Sequence, residues 1–305
     1  MTKDPSPPAF DPNSPEHASF VAAARAAGLD PRDPWVASYA DYEWTHLRPL
    51  LGAYGLNPAG GDILEFGSNV GGSLVTLATL GGRVTGLDVN KSLVRVAKAN
   101  AARYGVSDSV RLVHATSSRT LPFATSSFDL IIANSVLEYV DTQDLSAIIS
   151  EFRRVLRPGG KLLICGTASR LAPRELHSRR WFANYVPRFI DRLTARRLQR
   201  GLSPLRLASS LRAHFKATRS HCWRRARIAV HGRLSPAARL VSAFARVAGI
   251  SPGWLSPYIE LLLERCDARD LQADPGSTDG RTAAASRSAA ANPIRSRANG
   301  TGSTA

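Results

Sequence analysis

Residues Asp62 to Ser73 read D-I-L-E-F-G-S-N-V-G-G-S. A short apolar run, Ile63-Leu64, leads into an acid, Glu65, and three glycines, Gly67, Gly71 and Gly72, after which S-L-V-T-L-A begins as a helix would. The pattern is strand, tight turn, helix N-terminus. Glycine permits positive φ and lets bare backbone approach a ligand, and a helix start offers N–H groups without intrahelical partners. A second strand, Arg83-Val-Thr-Gly-Leu-Asp88, ends in a carboxylate, the usual way a βαβ unit holds the two hydroxyls of a ribose. The stretch therefore predicts a nucleoside-cofactor site.

A dinucleotide fingerprint needs G-x-G-x-x-G, whereas the spacing here is Gly67-x-x-x-Gly71-Gly72 behind Glu65. Further on come L-P-F from Leu121, S-F-D-L-I-I-A-N-S-V-L-E-Y from Ser127 and L-R-P-G-G-K-L-L-I from Leu156. With E-x-G-x-x-x-G and the acid closing the next strand, this set resembles the class I S-adenosylmethionine-dependent methyltransferases, and more narrowly the methyltransferase type 11 and ubiquinone-biosynthesis group, over about residues 40 to 167.

Outward from this core, strands at 62–67, 83–89, 110–115, 128–134 and 161–167 alternate with helices at 72–80, 91–104 and 144–156, with the 116–127 connection poor in helix formers. Alternation of this kind implies an α/β fold, Rossmann-like and doubly wound, with a mostly parallel sheet. Tyr258-Ile-Glu-Leu-Leu-Leu-Glu reads as an antiparallel edge strand or a short helix, and basic helical stretches near 192–200, 204–217 and 235–248 form a C-terminal insertion or lid. The domain plan is a proline-rich, disordered 1–16, lid helices in 17–56, the cofactor core in 57–167, a basic substrate or lid region in 168–265 and a disordered tail in 266–305.

Charge separates the core from the segment after it. Of the 305 residues, 1–165 hold 15 Lys and Arg against 16 Asp and Glu, whereas 166–265 hold 20 against 4, which accounts for the net +16. Such a segment suits an anionic partner, whether lipid headgroups, a phosphorylated carrier or nucleic acid; the plainer reading is an arginine-rich surface with no partner. Cys165, Cys222 and Cys266 stand far apart, so no metal site and no disulfide framework is expected. No run approaches the roughly 18 apolar residues that span a bilayer. The expectation is a cytoplasmic protein, peripheral to a membrane in one reading.

The resemblance distributes the cofactor over named residues. Backbone at Gly67, Ser68, Asn69 and Gly71 would lie against the methionine and ribose, Glu65 would fix the turn or meet the amino group, Asp88 would accept the ribose hydroxyls and Val89 would cover the adenine. Ser117 and Ser118 stand where family members meet the adenine edge, commonly with Asp at the first position; Asn69 stands where a glycine is usual, and asparagine tolerates left-handed backbone. Asn134, ending the fourth strand, would lie beside the methyl group.

Glu138, Tyr139 and His177 are candidate bases, each with a capping, packing or solvated role as the alternative, and His177, Arg179, Arg180 and Trp181 resemble the family's acceptor-covering segment. Tyr39, Tyr42 and Trp44 are lid aromatics or core. The resemblance implies methyl transfer to a small molecule, a lipid-type or a glycoconjugate acceptor. An RNA methyltransferase is the alternative, although Asn134-Ser-Val-Leu is not the N/D-P-P-Y/F/W tetrapeptide of exocyclic-amine enzymes. A non-catalytic cofactor-binding scaffold is the third reading.

Overall fold

The computed structural model describes residues 5–176, 178–187, 189–194 and 198–266. The expected tail beyond Cys266, His177 and part of the helical stretch near 192–200 lie outside the described residues. The chain opens with α1 (Pro15–Ala26), α2 (Pro34–Ala37) and α3 (Tyr39–Tyr54). The alternating core comes next: β1 (Asp62–Phe66), α4 (Gly72–Thr79), β2 (Arg83–Asp88), α5 (Lys91–Arg103), β3 (Val110–His114), β4 (Phe128–Asn134), α6 (Leu145–Val155) and β5 (Leu156–Ala168). Then come α7 (Phe189–Thr194), α8 (Pro204–Leu211), β6 (Phe215–Ala217), α9 (Trp223–His231), α10 (Pro236–Val247) and β7 (Tyr258–Arg265).

The strands make one sheet in the order β3-β2-β1-β4-β5-β7-β6. β1 pairs in parallel with both β2 and β4, and β4 with β5, whereas β7 runs antiparallel to β5 and to β6. Both faces are covered, so strand residues alternate between two cores. Ile131, Ala133, Leu162 and Ile164 pack with α6 and α8 on one face; Leu130, Ile132, Leu163 and Cys165 pack with α3, α4 and α9 on the other. This is why the strands read as continuous apolar runs.

Two expectations are corrected and one helix is added. Residues 8–16 are not disordered: Phe10 stacks on His17 with ring centroids 5.0 Å apart and meets Tyr104 edge-on, while the Arg103 guanidinium lies over both Phe10 and Phe20. One aromatic residue in a proline-rich stretch thus anchors it, and Ser14 caps α1 by accepting from the His17 N–H. The stretch 204–217 is not one helix, because it turns at residues 212–214 and adds β6 outside β7, so the antiparallel strand is the penultimate one in the sheet. The helix at Trp223–His231 was not expected at all; its run of arginines hides an apolar face made by Trp223 and Ala226.

Candidate active site

The order of strands reverses between β1 and β4, and ligands of open α/β sheets bind at the carboxyl edge beside such a point. A cavity of about 1040 Å³ lies there, bounded by the ends of β1, β2, β4 and β5 below and by α3 and α9 above. Glu65, Gly67, Ser68, Asn69, Asp88, Val89, Ser118 and Asn134, eight of the residues expected to hold the cofactor, line it.

The turn after β1 is fixed by backbone chemistry. Gly67 has φ +82°, and a Cβ there would stand 2.3 Å from Val136 Cγ2, so only glycine fits the approach. Asn69 is left-handed at φ +47°, as its side chain permits. The Asn69 N–H donates to Asp88 Oδ2 at 2.9 Å and the Asn90 N–H to Oδ1 at 2.8 Å. The carboxylate at the end of β2 therefore ties the glycine turn to the start of α5, and each oxygen keeps lone-pair capacity for a further donor.

Glu65 is buried and receives a bond from the Ser73 hydroxyl, and burial pushes its carboxyl well above the usual carboxylate range. Among the described residues its Oε2 has no hydrogen-bond partner, and neither has the buried Ser68 Oγ. A cation with N–H donors is what such a carboxylate lacks. An adenosylmethionine fits these residues: its ammonium would meet Glu65, its ribose Asp88, and its adenine the exposed face of Val89 and Ser118.

Gly71 and Ser117 do not line the cavity. Gly71, at φ +85°, begins α4, where a Cβ would press on Ala97 of α5, so its smallness serves helix packing. The Ser117 hydroxyl turns back to accept from the Arg119 N–H at 3.1 Å.

The other half of the cavity was only partly visible from sequence. Tyr139 and Arg179 line it, and burial with Glu138 and Glu175 nearby pushes the Tyr139 phenol up to about 12. Glu138 instead joins the loop after β4 to β5, accepting from the Ala168 N–H at 3.2 Å and from the Ser135 hydroxyl. Arg180 and Trp181 sit outside: the Arg180 carbonyl accepts from the Glu175 N–H, and the indole is exposed under the Arg174 guanidinium. Trp44 is buried against Arg48, whereas Tyr39 and Tyr42 do face the cavity, joined by Trp35.

Among the lining residues that were missed are Glu43 and His46 on α3 and Arg227 and His231 on α9. Glu43 is fully enclosed, accepts from Asn134 Nδ2 at 2.9 Å and is bonded by the Tyr39 hydroxyl, and burial pushes its carboxyl up to about 7. His46 stacks on Tyr42 with centroids 3.8 Å apart. Its Nδ1 sits 2.8 Å from the Tyr42 carbonyl oxygen, which can only accept, so Nδ1 carries the proton and Nε2 a lone pair in neutral imidazole. Arg227 pairs with the buried Glu260 of β7, which also accepts from the Tyr54 hydroxyl at 2.9 Å. The available signal was polar residues at positions 39, 42, 43 and 46, which share one face of α3.

Fold and site together define an α/β protein with a site shaped for a nucleoside cofactor. Residues 64–164 match the family model described as a methyltransferase domain. Among curated proteins the chain is similar to a sterol 4-C-methyltransferase of Caenorhabditis elegans, 31% identical over 101 residues, covering 33% of this chain and 29% of that one. It is also similar to a demethylmenaquinone methyltransferase of Tropheryma whipplei, 30% identical over 107 residues, covering 35% and 42%. The chain thus spans less than half the length of these two relatives. Among solved structures, an S-adenosylmethionine-dependent methyltransferase from Mesorhizobium loti is 20% identical, with 73% of this chain and 97% of that one covered at a TM-score of 0.48.

Proposed function

We propose that this protein transfers a methyl group from adenosylmethionine to a small apolar or ring-bearing acceptor of the sterol or quinone type. One observation carries the reading: a single cavity of about 1040 Å³ is lined both by the cofactor residues Glu65 and Asp88 and by Tyr42, Glu43, His46, Cys165, Arg227 and Tyr258. That volume lies just above the roughly 300–1,000 Å³ of pockets that hold one drug-sized ligand, which leaves space beside the cofactor for an acceptor. The two relatives, named for a sterol and a menaquinone precursor, support the acceptor class.

Bound adenosylmethionine supplies a methyl group that is already electrophilic. The protein's share is alignment, exclusion of water and, for a carbon or oxygen acceptor, removal of a proton. Asn134 lines the cavity and donates to Glu43. Glu43, with its carboxyl brought close to neutrality by burial, is suited to receive that proton, and the lone pair on His46 Nε2 offers a second acceptor.

Two measurements test the reading. Calorimetric titration with adenosylmethionine should show binding that Asp88→Ala weakens at least tenfold, about 1.4 kcal/mol; an unchanged dissociation constant would misplace the site. Incubation of extract with methyl-labelled cofactor should place the label in the lipid-soluble fraction. Label confined to RNA would replace the acceptor class, and binding without any labelled fraction would leave a cofactor-binding scaffold.

A further inference from the structure

Helix α10 is amphipathic in the wrong direction for a soluble surface. Its small residues point inward, with Ser242 and Ala245 buried, while its large apolar residues point outward: Leu240, Phe244 and Val247 are 73%, 64% and 90% exposed. Their spacing, i, i+4, i+7, makes one continuous stripe along the helix. Arg239 and Arg246 lie together on one flank of that stripe by helical geometry. The helix is firmly built, with Pro236 at its first position and the Ser235 hydroxyl accepting from the Ala238 N–H, so the outward stripe is presented by an ordered element.

The surrounding sequence sets the sign of the partner. From residue 192 to residue 259 there are 14 Lys and Arg and no Asp or Glu. We propose that α10 is an interfacial helix that seats Leu240, Phe244 and Val247 in the headgroup boundary of an anionic lipid bilayer, with Arg239 and Arg246 on its flank holding the lipid phosphates. Apolar residues on one face with arginine beside them is the composition of helices that lie in a membrane surface. Among the described residues no helix is long and apolar enough to cross a membrane, so the contact is peripheral.

Two other occupants fit less well. Three side chains expose a few hundred Å² at most, below the ~800 Å² per partner of a stable protein pair, and two copies each carrying +16 repel. A nucleic acid would use the arginines but has no place for the Leu240–Phe244–Val247 stripe.

The position matters for function. His231, the last residue of α9, lines the cavity, and Ser235 caps α10 four residues later, a span of at most about 14 Å. Arg179 also lines the cavity, and two residues on, Trp181 is exposed. The lipid-facing helix therefore starts within about 14 Å of a cavity-lining residue. The membrane contact itself stands independently of the methyl-transfer reading.

The test is sedimentation of the full chain with phosphatidylcholine vesicles, with and without phosphatidylglycerol. Binding should require phosphatidylglycerol and weaken as salt rises. Replacing Leu240, Phe244 and Val247 together by serine should cut binding at least tenfold while leaving the urea unfolding midpoint unchanged, because these side chains make little of the core. The pair Arg239→Gln and Arg246→Gln should shift binding to lower salt. Failure of the parent protein to bind vesicles, or equal binding by the triple variant, overturns the proposal. A dimer that the triple variant dissociates, or RNA binding that it weakens without vesicle binding, assigns the face to another occupant and also overturns it. Loss of cofactor binding in the Asp88→Ala variant with vesicle binding intact would keep the two conclusions separate.

Discussion

Glu43→Gln removes one of the buried carboxyls of the cavity. The Glu43 carboxyl is enclosed, with Asn134 Nδ2 and the Tyr39 hydroxyl as its partners, and burial raises it from an ordinary 4.5 to about 7. Between those two values the folded protein holds a proton that the unfolded chain has released. Stability is therefore greatest below about pH 4.5 from this group and declines as pH rises to about 7, beyond which the loss is complete. A shift of this size corresponds to about 3 kcal/mol, at 1.36 kcal/mol per unit. Glutamine keeps an oxygen for Asn134 and cannot ionise. Urea unfolding at a series of pH values should show the two proteins close in stability near pH 4.5, with the variant the more stable by about 3 kcal/mol near pH 8. Glu65 shifts in the same direction and the Glu43 charge is one of the causes, so the difference between the curves reads Glu43 together with its coupling to Glu65. Parallel curves would show that Glu43 does not titrate where its burial places it. The same variant should lose about 10²–10⁴ in methyl transfer to a carbon or oxygen acceptor if Glu43 takes the proton; full activity would remove it from that role while leaving the stability argument standing.

Two further substitutions probe the frame of the cavity. Gly67→Ala forces a side chain into φ +82° and into Val136, and it should cost about 1–2 kcal/mol from the backbone and about 1–3 from overpacking; adding Val136→Ala should recover only the second part, as read by thermal and urea unfolding. Arg227→Met leaves Glu260 buried without its ion pair and should destabilise by about 3–5 kcal/mol, whereas Arg227→Met with Glu260→Leu should return most of that loss. Equal instability of the single and double variants would mean the pair is not what holds α9 to the sheet.

The cofactor half was legible because its chemistry is local. Glu65, Gly67 and Asn69 lie within one turn, and Asp88 ends the neighbouring strand, so a βαβ reading brings them together with no long-range knowledge. The contacts that set α3 and α9 over the cavity join positions far apart. Tyr54 and Glu260 meet across 206 residues of sequence, and Arg227 joins them from a helix whose R-R-A-R run reads as surface. The three-residue strand β6 carries too little pattern to be read, yet it displaces β7 from the edge of the sheet. Phe10 shows the opposite case, a segment whose composition predicts disorder and whose one aromatic side chain orders it.

These long-range contacts give α3 two distinct halves. Its C-terminal end is clamped: the Tyr54 hydroxyl bonds Glu260, Arg219 donates to the Tyr54 carbonyl at 2.6 Å, and Arg225 Nε donates to the Ala53 carbonyl at 3.0 Å. These two guanidiniums neutralise the free carbonyls of the helix end, where positive charge is favoured. The N-terminal half, by contrast, presents Tyr39, Tyr42, Glu43 and His46 to the cavity. Pro49 divides the two, because it has no N–H to give to the Thr45 carbonyl and so breaks the hydrogen-bond ladder between the clamped and the cavity-facing turns. The arginine-rich segment after the core thus has two uses that its composition alone does not separate. Arg219, Arg225 and Arg227 fasten the helix that covers the site, and the arginines of α10 remain on the surface where an anionic partner can reach them.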